Sequence, residues 1–157
     1  MKLEINKTSF KDAIKFLEKD DILGKYVKNI EPPKININED YFFSLCRYII
    51  FQQLSIKSAS ATFSRFISLL NNNISAEQVL KQTENKLKNT GMSFKKVEYL
   101  RILSQSFIDN SSFVDLKKMS NDNVIKTLSS IKGIGTWTSE MFLIFSMGRI
   151  DVFSNKD

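Results

Sequence analysis

The sequence predicts an all-α fold, and three observations carry that prediction. Apolar residues recur at helical spacing along nearly the whole chain. Only five Gly and two Pro occur in 157 residues, too few for the many tight turns of a β-sandwich or barrel. Hydrophobic residues make up 42%, enough to fill one core, and the sequence shows neither a long period-2 stretch nor an internal repeat.

The elements follow in order. Phe10, Ala13, Ile14 and Leu17 form one stripe behind Ser9, a candidate N-cap. Ile22, Leu23, Tyr26, Val27 and Ile30 form a second behind Asp20 and Asp21. Pro32-Pro33 breaks the chain and leaves it extended through Ile37. Asn38 is placed to cap a third helix carrying Phe42, Leu45, Cys46, Ile49 and Ile50. Ser55 starts a fourth, with Ala59, Phe63, Phe66, Ile67 and Leu70 facing inward. Ser75-Ala76-Glu77-Gln78 reads as the capping box of a short fifth. Gly91-Met92-Ser93 precedes a sixth with Val97, Leu100, Leu103 and Phe107. Asp122 to Ser130 and Thr136 to Met147 make the last two. The whole, residues 1–157, is read as a single helical domain.

Composition narrows the chemistry. A lone cysteine, Cys46, excludes an internal disulfide framework, a four-cysteine zinc site and a thiolate-held iron–sulfur cluster. The absence of histidine excludes His-based triads, His-ligated metals and imidazole acid–base work. A catalyst must be a carboxylate, a lysine, a hydroxyl or Cys46. No apolar run is long enough for a membrane span, and the start Met-Lys-Leu-Glu-Ile-Asn lacks a signal peptide's apolar stretch. No membrane partner is therefore expected, and a reduced intracellular setting is. The surface run Asn71-Asn72-Asn73 is attributed to genome base composition. Net charge is +6, unevenly placed. Residues 43–149 hold fourteen basic and seven acidic side chains, while the remainder holds nine and ten. A basic middle suits a polyanion, although +6 is also ordinary for solubility.

The segment Ile131-Lys132-Gly133-Ile134-Gly135-Thr136-Trp137-Thr138 lies between the last two helices. Two glycines around an aliphatic residue allow a tight reversal, since Gly accepts φ > 0 without steric cost. Their amides would then face outward beside a helix start at Thr136, where a phosphate oxygen is favoured. Lys132 and Lys126 would add charge without reading sequence. The pattern is that of a helix-hairpin-helix, spanning about 122–148. From the glycines alone, a plain αα-corner accounts for it equally well.

The flanking residues extend the pattern. The run from Ile131 through Arg149-Ile-Asp-Val-Phe-Ser-Asn-Lys-Asp157 resembles the signature of the helix-hairpin-helix DNA glycosylase superfamily. Within it, the chain is most similar to the alkylbase branch, 3-methyladenine DNA glycosylase II. Phe51-Gln52-Gln53-Leu54-Ser55-Ile56-Lys57-Ser58-Ala59 and Gly91-Met92-Ser93-Phe94-Lys95-Lys96-Val97-Glu98-Tyr99-Leu100 resemble two upstream blocks, in the family's order. The stretch from Asp21 to Pro33 is similar to its N-terminal approach.

That resemblance implies a fold, a chemistry and a set of residues. The function implied is base-excision repair: hydrolysis of the N-glycosidic bond of alkylated purines flipped from double-stranded DNA. Asp157 takes the place of the catalytic aspartate, which stabilises positive charge building on the sugar and aligns water. Cationic leaving bases need no strong general acid, which suits a chain without histidine. Asp151, which opens that loop, is given a turn or capping role. Lys156 stands where a second acid is common; it either lowers the pKa of Asp157 or is simply solvated. Trp137 replaces the Schiff-base lysine of bifunctional relatives, so a monofunctional hydrolase is implied, and its indole would stack on a cationic base. Met141, one turn on, is a second pocket residue or plain core. Gln53 occupies the wedge position that fills the gap left by a flipped base. The hairpin residues Lys132, Gly133, Ile134, Gly135 and Thr138 are implied to contact DNA. Carbonyls of Ser129, Ile131 and Ile134 are implied to hold Na⁺ or K⁺, with no cofactor required. Lys96 is read as solvated or a weak phosphate contact, and Tyr99 as architectural. The chain is expected to act as a monomer, at the nucleoid or in the nucleus according to its source. It is also expected to end short of a further helix that anchors Asp157. The alternatives are a non-catalytic helix-hairpin-helix module and a bifunctional glycosylase. The Gln-Gln-Leu-Ser block argues against the first, and Trp137 against the second.

Overall fold

A computed structural model describes residues 2–3, 7–28, 30–31, 35–109, 113 and 115–154. Chain contacts divide it into two units, Met1–Ile37 and Asn38–Asp157. The first holds α1 (Lys7–Leu17), α2 (Gly24–Val27) and an antiparallel pair of two-residue strands, β1 (Lys2–Leu3) and β2 (Ile35–Asn36). The second stripe of the sequence reading is corrected here. Ile22, Leu23, Tyr26 and Ile30 are exposed, and α2 is a single turn. The Asp20 carboxylate accepts the amides of Ile22 and Leu23 at 2.9 and 2.8 Å. Those two bonds shape a turn and hold its pKa below the usual carboxylate value.

The second unit contains α3 (Tyr41–Phe51), α4 (Ile56–Leu69), α5 (Ala76–Lys81), α6 (Glu84–Lys88), α7 (Phe94–Asp109), a 3-10 turn at Leu116–Lys118, α8 (Asn121–Ser129) and α9 (Thr136–Phe145). Apart from the short strand pair, the regular structure of the described residues is thus all helical, as the apolar spacing requires. Among them no helix is long and apolar enough to cross a membrane. The apolar α3 packs against α4, α7 and α9, while α8 lies against α9 and α5 against α7. Leu45, Ile49, Ile50, Phe66, Leu100, Leu103, Leu128, Phe142 and Leu143 are fully buried in one cluster. Each contributes about 1.5–3 kcal/mol by leaving water.

Polar residues set where helices begin. Asp40, Ser55, Ser75, Thr83 and Ser120 each accept an amide three residues ahead, at the starts of α3, α4, α5, α6 and α8. Asn38 is therefore not the cap of α3; its side chain accepts the Asp40 amide at 3.0 Å, from two residues before the cap. The sequence reading missed α6 because five residues show too little periodicity. The asparagine run also has a structural role. Asn71 and Asn72 adopt φ of 53° and 60°, a left-handed turn that ends α4 and that Asn tolerates better than most residues.

Candidate functional site

The hairpin closes through the Ile134 amide, which donates to the Ile131 carbonyl at 3.0 Å. Both isoleucines are buried and pin the turn to the core, while Lys132 and Gly135 face outward. Only Gly133 has positive φ, at 97°; Gly135 has φ −95° and is the N-cap of α9. The expectation that both glycines relieve backbone strain is corrected to the first alone. Gly133 also lies against Tyr99, whose Cβ would sit 2.8 Å from an added Cβ. Gly135 meets nothing there and, unlike the caps above, offers no side chain to the first amides of α9. An outside acceptor can approach those amides.

The three motif blocks meet at this corner. Gln52 ends α3, and its Nε2 donates to the Gly133 carbonyl at 3.0 Å and to Thr138 Oγ1 at 3.4 Å. Lys96 Nζ donates to the carbonyls of Ile50 and Gln52, both at 2.7 Å. Lys96 is thus a half-buried side chain committed to two carbonyls, not a freely solvated lysine or simply a phosphate contact. It caps the C-terminal end of α3, where a cation is favoured, and burial pulls its pKa below the ordinary lysine value. The next residue after this cap, Gln53, takes φ 54°. The wedge candidate therefore stands on a tight reversal between α3 and α4, beside the exposed Leu54 and Ile56. Lys132 Nζ pairs with Glu98 Oε1 at 2.6 Å. That hydrogen bond and its charge raise the Lys132 pKa.

Thr138 is buried with its hydroxyl turned to Gln52, so it supports the hairpin from inside. The Ile134 side chain is likewise interior, which leaves only its backbone for an outside ligand. Ser129 and Ser139 join α8 to α9 through their hydroxyls at 3.3 Å, and the Ser139 hydroxyl also donates to the Gly135 carbonyl at 3.0 Å. Cys46 is fully buried, and desolvation pushes its thiol well above the ordinary value. It is no nucleophile in this fold.

Trp137 stands in the first turn of α9 and is 41% exposed, in contrast to the buried Thr138 and Ser139 beside it. Met141 is half-buried one turn further on. After α9, Arg149 donates to the carbonyls of Lys117 and Met119 at 3.1 and 3.0 Å. Val152 packs on the core. Ser154 Oγ donates to Glu140 Oε2 at 2.7 Å. Asp151 is exposed. Asp157 and Lys156 lie outside the described residues. The sequence reading passed over Gln52, Glu98 and Glu140 as site residues. All three lie inside the quoted blocks, which was the available signal, and Glu140 also stands one turn after Trp137.

The family model of the HhH-GPD superfamily base excision DNA repair proteins matches residues 46–157, which contain all three blocks. The chain belongs to this superfamily. DNA-3-methyladenine glycosylase 1 of Schizosaccharomyces pombe is 33% identical over 139 residues, covering 86% of this chain and 61% of that protein. The chain thus spans less than two thirds of this curated relative. The crystal structure of a DNA-3-methyladenine glycosidase from Bacillus halodurans superposes with a TM-score of 0.84 at 32% identity, over all of this chain and 72% of that one. A 3-methyladenine DNA glycosylase of Schizosaccharomyces pombe in complex with abasic DNA gives a TM-score of 0.78 at 30% identity, over 93% and 75%. In HhH-GPD terms, α8, the hairpin and α9 form the helix-hairpin-helix, with α3 and α7 behind it.

Proposed function

We propose that this domain removes alkylated purines from double-stranded DNA by hydrolysing the N-glycosidic bond, as a monofunctional 3-methyladenine-type glycosylase. The observation that carries the reading is the exposed indole of Trp137 at the uncapped start of α9, next to a hairpin that Gln52 and Tyr99 hold rigid. Duplex phosphate approaches the Gly135 end of α9, and the damaged base stacks on Trp137. Gln53 enters the stack from its left-handed turn and offsets part of the unstacking cost of a few kcal/mol. Trp137 cannot form an imine, so the abasic strand stays intact. The relatives' names support the alkylated-base substrate.

Asp157 supplies the carboxylate in this proposal, against the positive charge that develops on the sugar. Carbonyls of Ser129, Ile131 and Ile134 would hold Na⁺ or K⁺ beside a phosphate. A wholly neutral oxygen set suits a weakly held monovalent ion, although the Ile131 carbonyl already receives the Ile134 amide. The protein would act as a monomer, at the nucleoid of a prokaryote or in the nucleus of a eukaryote.

The test is base release from alkylated duplex by the natural full-length protein. Free 3-methyladenine and an unnicked abasic strand are expected, with a loss of about 10²–10³ in rate for Asp157→Asn. Duplex binding without base release would favour a non-catalytic helix-hairpin-helix module, and nicking without alkali would favour a bifunctional enzyme.

A further inference from the structure

Helix α9 carries a single acidic residue, Glu140. It follows Trp137 by three positions and precedes Met141, so the three side chains share one face of the helix. The opposite face is the one buried by Thr138, Ser139, Phe142 and Leu143. Glu140 is half-buried, and its carboxylate is held by the Ser154 hydroxyl at 2.7 Å, fourteen residues away in sequence. That bond draws the loop after α9 back along the helix. Among the described residues, the salt bridges pair Arg101, Lys117, Lys118 and Lys132 with other acids, and none involves Glu140. The carboxylate is therefore fixed in place one helical turn from the exposed indole, with no cation among the described residues paired to it.

We infer that Glu140 is a specificity-determining residue, which makes this face of α9 prefer purines carrying a positive charge over neutral purines of the same size. The inference rests on the proposed role of Trp137 as a base-stacking surface. Alkylation at N3 or N7 leaves a purine nucleoside cationic, whereas an inosine ring is neutral and stacks comparably. The indole face attracts the cation through its quadrupole. A carboxylate one helical turn away adds a Coulombic preference that the neutral ring does not feel, and partial burial protects it from screening. Asp151 is exposed to solvent and supplies little of this field.

Trp137 is the only tryptophan, so its fluorescence reports on this face directly and without catalysis. The protein is titrated with 7-methylguanosine, in mildly acidic buffer where the ring is fully cationic, and with inosine. The wild type is expected to bind the cationic nucleoside roughly three- to tenfold more tightly. Glu140→Gln still accepts the Ser154 hydroxyl but lacks the charge. It should bring the two affinities together by weakening only the cationic ligand. Ser154→Ala should retain the preference. An unchanged ratio in Glu140→Gln, or equal weakening of both nucleosides, would overturn the assignment and leave Glu140 as a tether for the loop. Absence of quenching by either nucleoside in the wild type would instead overturn the stacking role of Trp137, and this inference with it.

Discussion

A Cβ at position 133 would fall on the ring of Tyr99, 2.8 Å from the tyrosine Cβ, and the backbone there has φ 97°. Two independent constraints, one steric and one conformational, thus require glycine at the hairpin. Gly133→Ala is expected to lower stability by about 2–4 kcal/mol, read as a shift in the urea midpoint. Pairing it with Tyr99→Ala should recover part of the loss, because the ring atoms that the new Cβ would strike are gone, while the close Cβ contact and the backbone strain stay. Additive losses in the double variant would show that the ring is not the obstacle. Gly135→Ala, which meets no neighbour, should be nearly neutral for folding.

Lys96 joins α7 to the end of α3 through two carbonyls. Lys96→Met keeps the apolar stem and removes both charge-assisted bonds, so a loss of about 1–3 kcal/mol is expected. Amide exchange at Gln52 and Gln53 should quicken with it. Unchanged exchange would place the restraint on Gln53 elsewhere.

Gln52 acts as a donor toward the hairpin. Gln52→Glu replaces that donor with a carboxylate facing a carbonyl. It should cost more than Gln52→Ala, for which about 1 kcal/mol is expected. Thermal unfolding of the two variants side by side checks the order.

Glu98 competes with any phosphate for Lys132. Glu98→Gln should strengthen binding to undamaged duplex by about two- to fivefold at low salt. It should also steepen the dependence on salt by about one unit of slope, while Lys132→Ala should flatten it. If both variants bind like the wild type across a salt titration, the hairpin lysine does not touch DNA.

Much of the fold was legible because burial in a helix leaves a periodic trace. Phe63, Phe66, Val97, Leu100 and Leu103 lie inside where their spacing puts them. Caps at Ser55 and Ser75 were equally readable, since a hydroxyl before a periodic run serves a local purpose. Short elements were not. The single turn α2 and the five-residue α6 hold too few positions to establish a period.

The sequence by itself determined the helical class, the hairpin between the last two helices and the three blocks that mark the superfamily. Those features depend on near neighbours in the chain, whose spacing and residue types are visible directly. Only the tertiary structure decided what the polar members of those blocks do. Lys96 reaches carbonyls 46 and 44 residues away, and Gln52 reaches one 81 residues away. Lys132 meets Glu98 across 34 residues. Whether a lysine faces water, a phosphate or a helix end depends on which groups the packed core brings within 3 Å of it, and no local pattern records that.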